Sequence, residues 1–155
     1  MSATPAEILD RPFEELAIGD RFRSAGRVIA DEDVMAFAAV TGDWHRLHTD
    51  AAYAEQTAFG ARIAHGMLSL SCTIGLVPNG HVLALRRIRD TVFKAPVYLG
   101  DEIHVDGRIT TLSPLTAEAG VVGGVWKVYN QRDELVIRMV VETIWRRAAA
   151  AVARA

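Results

Sequence analysis

The chain has 155 residues, 50% of them apolar, with one cysteine and a formal charge of −2. That length fits one domain, because two would each be too small for a sound core; one domain of this size should bury roughly 68–70% of its unfolded surface. Balanced charge beside a large apolar fraction excludes a disordered chain, 17 basic against 19 acidic residues give no global field for nucleic acid, and a lone Cys72 cannot form an intramolecular disulfide.

Residues 1–12 form an N-terminal extension with no basic start and no apolar run of the secretory kind. Gly19 to Ile29 alternates loosely and predicts a first strand. Asp31 is placed to cap a helix that carries Val34, Phe37, Ala38 and Thr41 on one face and stops at Gly42. Asp43 to Thr49 reads as a polar loop, and Asp50 caps a short helix containing Tyr53. Ile63 to Val77 is apolar nearly all round, which predicts a helix buried inside something. It is too short for the ~20 residues that cross a bilayer, so the chain is expected to be cytoplasmic. Pro78-Asn79-Gly80 ends it with turn chemistry.

The period then changes to two. Val82 to Val97 predicts two short strands or one bent strand, with Pro96 favouring an edge or a break. Ile103, Val105 and Ile109 alternate with His104, Asp106 and Arg108 in a half-buried strand. Val121 to Tyr129 is a further strand, where Gly120, Gly123 and Gly124 imply a bulge or a close backbone approach. Residues 130–133 form a hairpin turn before the alternating strand Leu135 to Trp145. The domain spans residues 13–147, and residues 148–155 form a low-complexity tail, frayed or helical. The architecture is α+β: one buried helix wrapped by a twisted, mainly antiparallel sheet whose edges need cover.

The residues that carry chemistry crowd between positions 42 and 71. Asp43 and His48 are five positions apart, close enough for a turn to aim both at one water. A carboxylate and an imidazole make a competent acid–base pair near neutral pH. Gly66 opens the buried helix with an N–H the helix does not use, with no Cβ to obstruct a ligand. The helix dipole favours negative charge there, which suits a polarised carbonyl. His65 is expected to fix the start of that helix. Asp43, His45 and His48 would be chemically sufficient for a metal, but no further ligand is evident and none is expected. Cys72, mid-helix, reads as an inert buried thiol.

These blocks resemble the MaoC-like acyl dehydratases, which include the (R)-specific enoyl-CoA hydratases. The resemblance covers residues 13–147. It rests on Phe37-Ala38-x-x-Thr41-Gly42-Asp43, His48-x-Asp50, Phe59 and Ile63-Ala64-His65-Gly66-Met67-Leu68, supported by Phe93-Lys94-x-Pro96-Val97-x-x-Gly100-Asp101-Glu102. It implies a hot-dog fold, in which a long central helix lies in a curled sheet, assembled at least as a homodimer. It puts the catalytic pair on Asp43 and His48 and the carbonyl-binding N–H on Gly66. The implied reaction is reversible addition of water to a trans-2-enoyl thioester, giving a 3-hydroxyacyl thioester of (R) configuration. His48 is the preferred base on water and Asp43 the orienting partner and proton donor; residue types alone leave open which group holds which proton. Coenzyme A or phosphopantetheine would arrive as part of the substrate, and no separate cofactor is expected.

Where the family usually has Asn-Pro, this chain has His45-Arg46. Without the ring of Pro, this loop is freer in the unfolded state. A serine that often assists from the central helix has no clear match: Ser69 and Ser71 are nearby, Ile74 lies about where it would be expected, and Ser71 is taken with His65 as a substrate-binding candidate. Trp44 and Phe59 are candidates to line an acyl pocket or to pack in a core. Arg86, Arg87, Arg89 and Lys94 are candidates to meet carrier phosphates, or belong to a solvated strand face. Two competing functions stand beside hydration: a hot-dog thioesterase and a non-catalytic acyl-thioester-binding subunit. One small domain has little room for a deep pocket of its own, so a site shared across a homodimer is expected.

Overall fold

The computed structural model describes residues 7–8, 10–77 and 80–148. Residues 1–6 and 9 of the extension, Pro78 and Asn79 of the expected turn, and residues 149–155 of the tail lie outside the described residues. Six strands form one antiparallel sheet: β1 (Arg21–Arg23), β2 (Arg27–Val28), β3 (Val82–Phe93), β4 (Glu102–Pro114), β5 (Ala119–Asn130) and β6 (Leu135–Arg146). Their order is β1, β4, β5, β6, β3, and β2 also pairs with β4. The expected first strand is thus two short ones. Ser24 joins them: its N–H donates to the Val105 carbonyl at 2.9 Å and its Oγ accepts the Val105 N–H at 2.8 Å.

One face of the sheet is the core. Ile103, Val105 and Ile109 of β4, Val122, Trp126 and Val128 of β5, and Ile137, Met139, Val141 and Trp145 of β6 all point inward and are buried. The glycines of β5 mark both a bulge, opposite residues 109–111 of β4, and a close approach, where the Phe13 ring rests on Gly120.

Among the described residues, four α-helices lie between β2 and β3: α1 (Asp31–Thr41), α2 (Arg46–Thr49), α3 (Ala51–Glu55) and α4 (Gly66–Gly75). The cap of α1 is Ala30, not Asp31; Asp33 secures the first turn by accepting the Ala30 N–H at 2.9 Å. Gly42 ends α1 with φ +78°, a conformation that favours glycine, and donates to Ala38 at 2.8 Å. Asp50 caps α3 by accepting from the Tyr53 N–H.

Two expectations about the central helix need correction. It runs ten residues, not from Ile63 to Val77. Ile63 and Ala64 use their backbone outside the helix: Ile63 bridges Tyr98, and Ala64 donates to Val97 at 2.8 Å. Nor is the helix buried all round. Leu68, Leu70, Cys72 and Thr73 are buried, whereas Met67, Ser71 and Gly75, at i, i+4 and i+8, form an exposed stripe with Met67 56% accessible. Burial raises the Cys72 thiol above its usual range, in keeping with an inert role.

Residues 94–101 cross below the start of α4. Lys94 donates to Val136, and Asp101, 4% exposed, anchors the far end. Its carboxylate accepts from Tyr98 N, Gln131 Nε2 and both Nη atoms of Arg132 at 2.7–3.2 Å. Among the described residues, no helix is long and apolar enough to cross a membrane.

Candidate active site

The loop after α1 leads from Asp43 to His48, and its shape follows from short-range bonds. Thr41 Oγ1 donates to Phe37 and accepts the Asp43 N–H, which fixes the turn at Gly42. Asp43 Oδ1 accepts the His45 N–H at 3.2 Å. His45 Nδ1 then caps α2 by accepting from Leu47 at 3.1 Å. Arg46, in place of the usual proline, is tied to the next helix: Nε and Nη2 reach Asp50 at 3.1 and 2.8 Å, and its guanidinium lies 4.6 Å over the Tyr53 ring. Those contacts hold in the folded loop what a proline would hold by its ring.

His48 is turned so that Nδ1 lies 2.8 Å from the Ile63 carbonyl. A carbonyl only accepts, so Nδ1 carries the proton and Nε2 is left with its lone pair. Burial is the main cause that holds this imidazole below its ordinary pKa; the Ile63 bond opposes it, His65 adds to the lowering and Asp43 opposes. The ring is therefore neutral and basic at Nε2 near pH 7.

His65 links the parts. Its ring is 2% exposed and lies 3.9 Å from His48 and 5.0 Å from Phe37, centroid to centroid. Nε2 donates to the Asp43 carbonyl at 3.0 Å, and Nδ1 is buried without a partner. As N-cap of α4 it also precedes Gly66. One side chain thus braces the Asp43 backbone, the His48 ring and the start of the helix.

One donor atom each from Asp43, His48 and His65 lies within 4.8 Å of the others. His65 replaces His45 in the set expected from sequence. The two imidazole planes are only 31° apart, so their in-plane lone pairs run side by side instead of converging on one ion. The spacing between Asp43 and His48 suits a water held by both.

These groups open into a cavity of about 760 Å³. Asp43, His48, His65 and Gly66 line one wall, and Phe59 and Lys94 line it too. Of the other lining residues, Phe37 of α1, Phe93 of β3 and Val97 of the crossing segment belong to the blocks that carry the family resemblance but were not singled out as site residues, and Ile137 of β6 belongs to none. Cavity-facing apolar residues look like core residues in sequence.

Other expected residues are not brought to the cavity. Ser71 lies on the exposed stripe of α4 and donates to the Met67 carbonyl at 2.7 Å; the cavity serine is Ser69, one face round the helix. Trp44 is 52% exposed outside the lining. Arg86, Arg87 and Arg89 fan over one carboxylate, Glu142, at 3.5, 3.8 and 3.7 Å and do not line the cavity.

Comparison with known proteins gives the family and the fold. The model of the MaoC-like domain matches residues 14–123, and the chain belongs to that family. A mitochondrial 3-hydroxyacyl-[acyl-carrier-protein] dehydratase of Arabidopsis thaliana is 38% identical over 122 residues, covering 79% of this chain and 72% of that protein. An (R)-specific enoyl-CoA hydratase of Aeromonas caviae is 38% identical over 103 residues, covering 64% and 75%. A Mycobacterium tuberculosis structure described as a double hotdog fold superposes with a TM-score of 0.81 at 21% identity, over 91% of this chain and 46% of that one. The fold is the hot-dog fold.

Proposed function

We propose that the protein adds water reversibly across the C2–C3 double bond of a trans-2-enoyl thioester, giving the (R)-3-hydroxyacyl thioester. The observation that carries this reading is the free Nε2 of His48, with the Asp43 carboxylate beside it and the Gly66 N–H in the same cavity. The thioester carbonyl accepts from Gly66, which draws electron density from C3. His48 Nε2 takes a proton as the water oxygen bonds to C3, and C2 receives a proton from the Asp43–His48 pair. Dehydration runs the same steps backwards. The apolar walls at Phe37, Phe59 and Ile137 suit an unsubstituted acyl chain. Lys94, at the mouth, suits an anionic group of the carrier, and the two relatives named above act on different carriers, so either remains a substrate to test.

The assembly belongs to the same reading. The stripe at Met67 and the edge strand β3, with Leu83, Leu85 and Val92 accessible, leave apolar surface beside the cavity. A second copy of the chain is the proposed cover, and a dimer or larger species in light scattering is expected.

The test is loss of enoyl-thioester absorbance on a panel of enoyl-CoA chain lengths, with chiral analysis of the product. Binding without turnover at every length would indicate a non-catalytic subunit. Thiol release from saturated acyl-CoA would indicate a thioesterase.

A further inference from the structure

The end of β3 departs from regular pairing in a way that bears on the carbonyl site. Ile88 pairs with Val141 and Arg89 with Val140, but Val92 pairs with Arg138 and Phe93 with Ile137. The register has slipped by one residue between Arg89 and Val92. A one-residue slip sends every later side chain to the opposite face of the sheet. In unbroken register Phe93 would sit opposite Val136 instead of Ile137. With the slip it sits opposite Ile137, on the cavity side, and both line the cavity. Within the slip, Asp90 adopts φ +52°, which a residue with a Cβ rarely takes. Such strain persists where the surrounding structure demands it. The strand is then re-anchored directly after Phe93 by the Lys94 N–H to Val136 bond at 2.8 Å.

The ring that this bulge turns inward lies on Gly66. A Cβ placed on Gly66 would come within 3.0 Å of Phe93 Cε1 and 3.2 Å of Cδ1 and Cζ. Phe93 thus packs beside the Cα of Gly66, which stays exposed, while 49% of the Phe93 surface remains accessible. A half-exposed aromatic adds little to the core, but one set here bounds the space from which a substrate carbonyl would reach the Gly66 N–H. With substrate bound against it, the ring would give that N–H a less polar surrounding, where it is worth most as charge grows on the carbonyl oxygen.

We infer that Phe93 is the roof of the carbonyl subsite, a substrate-positioning residue placed over Gly66 by the bulge at residues 90–91. This rests on the hydration reading. Its effect falls on the charged transition state more than on ground-state binding, so it shows in kcat more than in KM.

The experiment compares wild type, Phe93→Ala and Phe93→Leu on one enoyl-CoA that the wild type turns over, with melting curves for each. Phe93→Ala is expected to lower kcat by about tenfold or more while KM moves less than about threefold, since removing a whole oxyanion donor costs about 10²–10³. Phe93→Leu, which restores an apolar cover, is expected within about threefold of wild type in kcat. Should Phe93→Ala fail to fold, the leucine variant is set against Phe93→Ser for the same split. An equally active alanine or serine variant overturns the roof, as does a leucine variant no better than it. A wild type inactive on every enoyl thioester overturns the hydration reading instead.

Discussion

The proposed role of His48 as base makes a prediction whose structural and chemical parts separate. His48→Ala removes both the Nε2 lone pair and the Nδ1–H bond to the Ile63 carbonyl. His48→Asn removes the base but keeps an N–H donor near the Nδ1 position. A net hydrogen bond of this kind is worth about 1 kcal/mol, so the alanine variant should lose about that much stability and the asparagine variant much less. A positioned general base contributes about 10²–10⁴ in rate, or about 3–5 kcal/mol of barrier. Both variants should therefore lose at least about a hundredfold in kcat/KM, although only one is destabilised. The measurements are enoyl-thioester absorbance for rate and urea unfolding for stability. A His48→Asn enzyme within tenfold of wild type would refute the assignment of His48 as base, because the side chain would then matter only for its Ile63 contact. The pH profile is a second check. With burial lowering its pKa, His48 should give an acid limb of kcat/KM below the ordinary imidazole value near 6.5. The same lowering means that the unfolded chain binds the proton first, so this ring costs stability as pH falls below about 6.5.

Three further predictions follow from the same geometry. Asp43 raises the His48 pKa through its charge, so in Asp43→Asn the acid limb should move to lower pH while kcat falls by about 10²-fold or more; a limb that moves upward would contradict the coupling. Asp101→Ala should destabilise by about 2–4 kcal/mol in urea melts, because it strips partners from Tyr98, Gln131 and Arg132, and a loss under 0.5 kcal/mol would show the anchor to be idle. Burial pushes the Asp101 carboxyl up, but the bonds from Arg132, Gln131 and Tyr98 outweigh it and hold it below its usual range, so this stabilisation is present above about pH 3.9 and is lost as pH falls further. Lys94→Ala should raise KM for a CoA thioester by about two- to fivefold with kcat unchanged, whereas Arg87→Ala, remote from the cavity, should leave both alone; the reverse order would return the carrier site to the arginines.

The parts of the site legible in sequence are those whose cause is local. Gly42 stops α1 because a left-handed residue is needed there, and Asp50 caps α3 because an Asx side chain reaches the N–H three residues on. Asp43 and His48 lie five positions apart across one short loop, which already restricts where they point, and Gly66 stands out as the glycine that opens a helix. Ser71 failed as a site residue for a related reason. The choice between Ser69 and Ser71 depends on the rotation of α4, and that rotation follows from where the helix begins. It begins at Gly66 because Ile63 and Ala64 are bonded to Tyr98 and Val97, more than thirty positions away. Nothing near residue 63 announces that pairing. The apolar, all-round character of Ile63 to Val77 was equally ambiguous, since residues that face a partner have the same composition as residues that face a core.

Phe93 shows the limit from the other side. Its place in a strand is plain from its neighbours, but which face it presents depends on a single slipped residue between Arg89 and Val92. Period-two counting from Ile88 puts it on the wrong face. Arg87 and Arg89 pair with residues on the outer face and gather on Glu142, and Lys94, just past the end of β3, lines the cavity. In sequence Arg86, Arg87, Arg89 and Lys94 form one basic run with one expected role; in the folded chain the three arginines cluster on one carboxylate and the lysine stands apart from them. The bulge itself, with an aspartate at positive φ in an edge strand, costs backbone strain that the sheet would not otherwise carry. Replacing Asp90 with glycine should relieve that strain and raise stability, by up to about 1 kcal/mol, while leaving the register intact. A loss of stability instead would mean that the Asp90 carboxylate, 3.0 Å from Arg89, outweighs the strain in holding the bulge.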